Sequence, residues 1–234
     1  MGNMLRVPQN LPERLADVRS RIRRAAAAAG RDVDSVTLLA VSKGQPVESI
    51  RAAAADGLEH FGESYVKEAL PKIETLRGFE LTWHFIGQLQ ANKTRAIAEN
   101  FAWVHGVDRL RIAERLSEQR PSHAPPLNVC LQVNIGGEDS KGGIAPAELP
   151  ELAAAVAVLP QISLRGLMCL PPPEDDEARQ RHWFAETARL MSSLRVPGTT
   201  LDTLSMGMSN DFEAAIEEGA TIVRVGTALF GPRR

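Results

Sequence analysis

Lys43 closes an otherwise apolar run, VTLLAVSK (36–43), and is the first residue whose type and place could do chemistry. Holding a lysine charged beside a core is costly, so burial would depress its pKa and make the amine a Schiff-base nucleophile. Just clear of the core, the same residue would be an ordinary solvated lysine. Arg224 is the second. In IVRVGT (222–227), Ile222, Arg224 and Gly226 share one face of a strand, while Val223 and Val225 share the other. A guanidinium on an interior face must meet an acceptor, either a protein carboxylate or a ligand. The third feature is SMGMSND (205–211), which runs straight into a helical pattern. Ser205 and Ser209 offer hydroxyls, Gly207 permits close backbone approach, and N–H groups at a helix start attract an anion. Ser209 or Asn210 would serve equally as helix caps. Gly226 and Thr227 add an N–H and a hydroxyl after the last strand. A phosphate site, an interior Arg and a strand-end Lys together describe a phosphorylated aldehyde held covalently, and pyridoxal 5′-phosphate (PLP) fits that description.

Other candidates have plainer readings. His84, between Trp83 and Phe85, is expected to be a hydrogen-bonded interior histidine rather than a general base. Asn92 sits where a helix cap suffices. Tyr65, the only tyrosine, could reach the rim of a pocket, but packing is its expected role. Lys141 is an alternative amine in a Gly-rich loop, set against a solvated loop lysine. The five histidines show no metal-ligand spacing and no Cys/His cluster accompanies them, so no metal is expected.

These residues need elements to position them. Apolar positions repeat at helical spacing from Leu11 to Ala29, followed by Gly30, which predicts a leading amphipathic helix. Strand-like and helix-like runs then alternate. Strands are predicted at 36–43, 60–64, 83–87, 103–108, 127–135, 163–170, 203–208 and 220–230, with a helix-forming run between each pair. Several strands are continuously apolar, as expected where both faces are buried, and the intervening helices make neighbouring strands parallel. Eight such strands predict an α/β fold, a single (β/α)8 TIM barrel with an extra N-terminal helix, forming one domain over residues 1–234. An open doubly wound sheet is the competitor, but no G-x-G-x-x-G follows the first strand. In a barrel, functional groups lie at the C-terminal strand ends, where Lys43 falls, and phosphate sites recur after strands seven and eight.

Composition narrows the partners. With 27 basic and 29 acidic side chains the net charge is −2, without long basic blocks, which argues against a nucleic-acid surface. Cys130 and Cys169 are far apart in apolar runs, which suits a reducing cytoplasm. The start of the chain lacks the apolar core of a secretory signal, and no run approaches a membrane span, so no membrane association is expected.

The segments AVSKGQP (40–46), HFGESYVKE (60–68), WHFIGQLQANK (83–93), VDRLRIAERL (107–116), LQVNIGGEDSKGG (131–143), LRGLMCLP (164–171) and LSMGMSNDFEAAIEEGATIVRVGTALFG (204–231) closely resemble the pyridoxal 5′-phosphate homeostasis protein family. Its members are single-domain relatives of the alanine racemase barrel, PLP fold type III. The resemblance runs through nearly the whole chain from about Leu11, in the same order. It implies that Lys43 carries PLP as an internal aldimine and that Arg224 faces the pyridine nitrogen. Ser205, Ser209, Gly226 and Thr227, with Met206 and Gly207 between them, match the phosphate cradle, partly through backbone N–H groups. Two positions depart from the pattern. Ser64 stands where Asn is usual, so its shorter hydroxyl would reach the cofactor through water, and Gly44-Gln45 replaces a common Thr-Lys at the rim.

A guanidinium opposite the pyridine nitrogen donates to an unprotonated nitrogen and weakens the ring as an electron sink. In the racemases resembling this barrel, a tyrosine from an additional domain serves as second base, and no such domain is evident here. The resemblance therefore implies a cytoplasmic PLP carrier for storage, buffering or delivery, monomeric, with PLP-dependent apo-enzymes as recipients and without catalytic residues of its own. The alternatives are a weak PLP-dependent amino-acid racemase or lyase, a Schiff-base aldolase acting on a phosphorylated sugar, and a regulatory protein for which PLP is the signal.

Overall fold

The computed structural model describes residues 10–138 and 142–232. Eight strands, β1 (Thr37–Val41), β2 (His60–Glu63), β3 (Thr82–Phe85), β4 (Trp103–Val107), β5 (Leu127–Val133), β6 (Ile162–Cys169), β7 (Thr203–Ser205) and β8 (Ile222–Val225), form a closed ring in chain order. Every adjacent pair is parallel, and β8 returns to β1 with Arg224 opposite Leu39. A closed ring leaves no strand edge exposed. The expected (β/α)8 barrel with a leading helix is the fold observed.

Helices α1 (Leu11–Ala28), α2 (Val47–Ala55), α3 (Val66–Thr75), α4 (Thr94–Asn100), α5 (Leu110–Gln119), α6 (Leu149–Ala157), α7 (Glu177–Ser193), α8 (Phe212–Glu217) and α9 (Thr227–Phe230) surround the ring. Each turns an apolar stripe inward; in α5 the buried positions are Ile112, Ala113 and Leu116, at helical spacing. The outward strand residues, among them Ala40, Phe61, Val104 and Val223, pack with these stripes into one apolar shell. Burying a Val, Leu, Ile or Phe side chain contributes about 1.5–3 kcal/mol, so this shell is the main source of stability.

The leading helix α1 docks on the closing elements. Its apolar stripe (Leu11, Leu15, Val18, Ile22) is buried, Arg21 pairs with Glu213 through Nε–Oε1 (2.5 Å) and Nη2–Oε2 (2.9 Å), and Arg31 donates to the carbonyls of Ile216 and Ala220 at the end of α8. Capping C-terminal carbonyls with a cation favours the helix dipole.

Two expected boundaries and one expected burial differ. The run expected as one strand over 220–230 stops at Val225 and turns at Gly226 into α9, whose first residue is Thr227. β7 ends at Ser205 rather than running to 208, because Gly207 adopts φ 89° and leads the chain into the α8 turn. A Cβ on Gly207 would lie 2.6 Å from that of Ala215, so only glycine fits there. Tyr65, expected to pack, precedes α3 and is 62% exposed.

Candidate functional site

Lys43 lies in the turn just beyond β1, at the C-terminal mouth of the barrel, and is half-buried. The residues on either side of it are clamped from outside the ring. Ser42, fully buried, donates from Oγ to Glu63 Oε1 (2.7 Å). Lys72 of α3 donates to Glu63 Oε1 (2.8 Å), to the Ser42 carbonyl (2.9 Å) and to Glu68 Oε1 (2.6 Å). Glu68 Oε1 also accepts from the Gly44 N–H at 2.5 Å. One buried ammonium thus ties the backbone before Lys43 to the carboxylate that holds the backbone after it. Burial pushes the Glu63 carboxyl above its ordinary range, with the Lys72 ammonium pulling against that rise. This clamp was missed in the sequence because Glu63 and Lys72 look like ordinary surface charges; the i, i+4 spacing of Glu68 and Lys72 was the available signal.

Arg224 points into the barrel and is 4% exposed. Its Nη1 donates to the Ser205 carbonyl (2.5 Å) and to Ser205 Oγ (2.9 Å), and its Nη2 donates to the Cys169 carbonyl (2.9 Å). These bonds engage three of the five guanidinium N–H groups. No carboxylate pairs with Arg224 among the described residues. Burial lowers its pKa, opposed by more distant Cys169 and Asp211. Its charge is held by oriented dipoles, leaving N–H groups for an acceptor that the described residues do not supply.

Beneath Arg224 runs a file of imidazoles. His105 Nδ1 is 2.7 Å from Ser205 Oγ, His84 Nδ1 is 2.9 Å from His105 Nε2, and His60 Nδ1 is 3.0 Å from His84 Nε2. His84 and His105 are fully buried. His84 is the interior histidine expected, whereas His60 and His105 were not singled out; all three sit on strands β2, β3 and β4 with side chains turned inward, so period-two alternation was the signal available. Burial and the Arg224 charge push His105 down to about 3, and burial with the neighbouring histidines pushes His84 well below its ordinary value.

The segments after β7 and β8 meet as the sequence suggested. Ser209 Oγ accepts from the Ala228 N–H at 3.2 Å, joining the two. Asp211 Oδ1 accepts from the Met208 N–H at 2.5 Å and shapes the turn around Gly207. Gly226 is half-buried and Thr227 is exposed at the start of α9, on the same side of the ring as Lys43. Two members of the expected cradle sit differently. Ser205 is fully buried, its hydroxyl engaged by Arg224 and His105 rather than turned to the loop. Met206 is fully buried and its N–H donates to the Ile222 carbonyl.

Ser64 follows β2 at the same mouth, half-buried, with its carbonyl so close to Gly87 that any Cβ there would overlap it. Asn92 is exposed, and the cap position of α4 falls to Lys93. Lys141 lies outside the described residues. Burial pushes the Cys169 thiol up to about 11 and the Cys130 thiol up to about 12, so neither is a ready nucleophile. Among the described residues, no cluster of His, Cys, Asp or Glu has metal-ligating geometry and no helix is long and apolar enough to cross a membrane.

Comparison with known proteins places this arrangement. The family "alanine racemase, N-terminal domain" matches residues 14–234. The pyridoxal phosphate homeostasis protein of Pseudomonas aeruginosa is 59% identical over 223 residues, covering 95% of this chain and 96% of that one. Its namesake in Escherichia coli is 50% identical over 227 residues, covering 96% and 97%. The structure of PipY from Synechococcus elongatus with PLP bound superposes with a TM-score of 0.82 at 40% identity, over 95% of this chain and 100% of PipY. An alanine racemase from Corynebacterium glutamicum shares the fold, with a TM-score of 0.65 at 20% identity, and the chain spans 61% of its length.

Proposed function

The chain belongs to the alanine racemase N-terminal-domain family, among the pyridoxal phosphate homeostasis proteins, and from that premise we propose that it binds PLP in the mouth of a single barrel domain (residues 1–234) and serves to store, buffer or deliver it in the cytoplasm. The observation that carries this reading is Arg224, a buried cation held by neutral acceptors and left with N–H groups for an incoming one. A pyridine nitrogen without a proton is such an acceptor. PLP supplies an aldehyde carbon that a lysine amine can hold reversibly.

The rest is done by the chain. Lys43 offers the amine from a turn whose two flanks are pinned through Ser42 and Gly44. Ser209, Gly226 and Thr227, with Gly207 shaping the turn, receive the phosphate where the last two loops meet. Ser205 contributes from below by fixing Arg224, and Met206 contributes through backbone pinned to the Ile222 carbonyl, its side chain packed in the apolar shell. Ser64 contacts the cofactor through water.

A guanidinium rather than a carboxylate opposite the ring nitrogen weakens the electron sink that racemases and lyases rely on. Tyr65 stands exposed at the start of α3 and is not a built second base. These features favour a carrier over a racemase or lyase, and we propose that it acts as a monomer toward PLP-dependent apo-enzymes. Equilibrium binding to a Lys43→Ala variant tests the reading: covalent, borohydride-fixable PLP in the pocket is lost while noncovalent uptake persists more weakly. Stoichiometric covalent PLP in the same pocket of that variant would overturn it.

A further inference from the structure

The barrel interior holds something cofactor binding does not by itself require: a continuous hydrogen-bonded file, His60–His84–His105–Ser205–Arg224, crossing from β2 to β8 with successive separations of 3.0, 2.9, 2.7 and 2.9 Å. Each neutral imidazole has one N–H and one lone pair, so an unbroken file has two states: all three histidines carry the proton on Nε2, or all three on Nδ1. Ser205 decides between them. Its Oγ already accepts from Arg224, which can only donate. If His105 also donated from Nδ1, the Ser205 hydroxyl hydrogen would have no acceptor among the described residues, a buried orphan. In the Nε2–H state Ser205 donates to His105 Nδ1, His105 donates to His84, and His84 donates to His60, leaving no interior hydrogen unused. The negative ends of all three ring dipoles then face the Arg224 charge.

We propose that His60, His84 and His105 are positioning residues, a single Nε2–H file that holds the Ser205 hydroxyl against Arg224 and thereby sets the guanidinium for the cofactor's ring nitrogen. The charged groups around the file are few, at its two ends and behind Trp103 on its flank. Arg224 faces it from β8. At the foot, His60 lies on the wall of a cavity of about 510 Å³ also lined by Arg19, Arg23, Asp34 and Glu59. Along its flank, His84 stacks on Trp103 (ring centroids 5.4 Å apart, planes 7° apart), and the Arg165 guanidinium of β6 covers Trp103 at 4.9 Å.

Two experiments test the file, and the second rests on the PLP reading while the first does not. Long-range proton–nitrogen correlation spectra of the histidine-labelled full chain without cofactor should show all three residues as neutral Nε2–H tautomers at neutral pH. An Nδ1–H or charged His105 would overturn the proposal. The second is PLP affinity in two variants. His105→Leu removes the acceptor of the Ser205 hydroxyl and should raise the PLP Kd about tenfold, the worth of one hydrogen bond near a charge. His105→Asn can present an amide oxygen where Nδ1 stood and should restore binding to within about threefold of the unaltered chain. Unchanged affinity in His105→Leu, or no rescue in His105→Asn, contradicts the positioning role. If the unaltered chain itself takes up no PLP, the functional reading fails while the tautomer result still stands.

Discussion

The two faces of the same eight strands are built on opposite principles. Outside the ring, strand and helix residues such as Ala40, Phe61, Ile97, Leu116, Phe184 and Val223 make one apolar shell. Inside it, Leu39, Cys130, Met168 and Ile222 share the space with His84, His105, Ser205 and Arg224, all buried. A barrel interior is ordinarily filled by branched apolar side chains. The polar interior sacrifices packing for a satisfied network, and the shell supplies the stability that makes this tolerable. The comparison separates fold from function: shell changes should move stability, and interior changes should move cofactor binding.

The largest effect should come from the shell. Phe184→Ala, at a fully buried position of α7, should cost about 3–5 kcal/mol in denaturant unfolding yet leave PLP stoichiometry unchanged in the folded fraction; a selective loss of binding would break the division. Next comes the exception on the outer side, the Lys72 clamp. Lys72→Met strands the buried Glu63 carboxyl and should cost about 3 kcal/mol, whereas Glu63→Leu with Lys72→Met should recover most of that stability but not the PLP affinity lost with a loosened Lys43 turn. Arg224→Leu should raise the PLP Kd about a hundredfold, close to 2.7 kcal/mol, by calorimetric titration.

Acid reaches the interior through stability as well and so tests where the contrast stops. His105 is held neutral in the fold, at about 3 against an ordinary 6.5, and the unfolded chain binds the proton more readily. Stability from keeping this imidazole neutral is therefore complete above about pH 7 and is lost as pH falls from about 6.5 toward 3, with on the order of 2 kcal/mol gone by pH 5 to 4.5. Unfolding midpoints across pH should fall over that window, and His105→Leu should flatten part of the fall. The smallest effect is at the rim: Tyr65→Ala should change stability by less than about 0.5 kcal/mol, as for other exposed residues.

Much of this was legible in the sequence. Alternating apolar runs and helical stripes carry period information independent of tertiary context, so eight strands, their order and the leading helix could be read directly. Lys43 and Arg224 stood out because a charge inside an apolar run demands explanation. What could not be read were partnerships across elements. His60, Glu63 and Lys72 are unremarkable locally and gain meaning only when β2 meets α3 and β3 in space. Likewise, Ser205 reads as a phosphate-cradle hydroxyl until its place at the end of β7 sets it beneath Arg224. The end of β8 at Val225 was hidden because GTALF is as apolar as the strand before it.

The central claim is that this chain holds PLP covalently through Lys43. The most direct measurement is the visible absorption spectrum of the purified protein with and without added PLP, followed by borohydride reduction and mass-spectrometric mapping of the modified residue. The account predicts a visible band that disappears on reduction, with the pyridoxyl group on Lys43. No band at excess PLP and no adduct on Lys43 would contradict it.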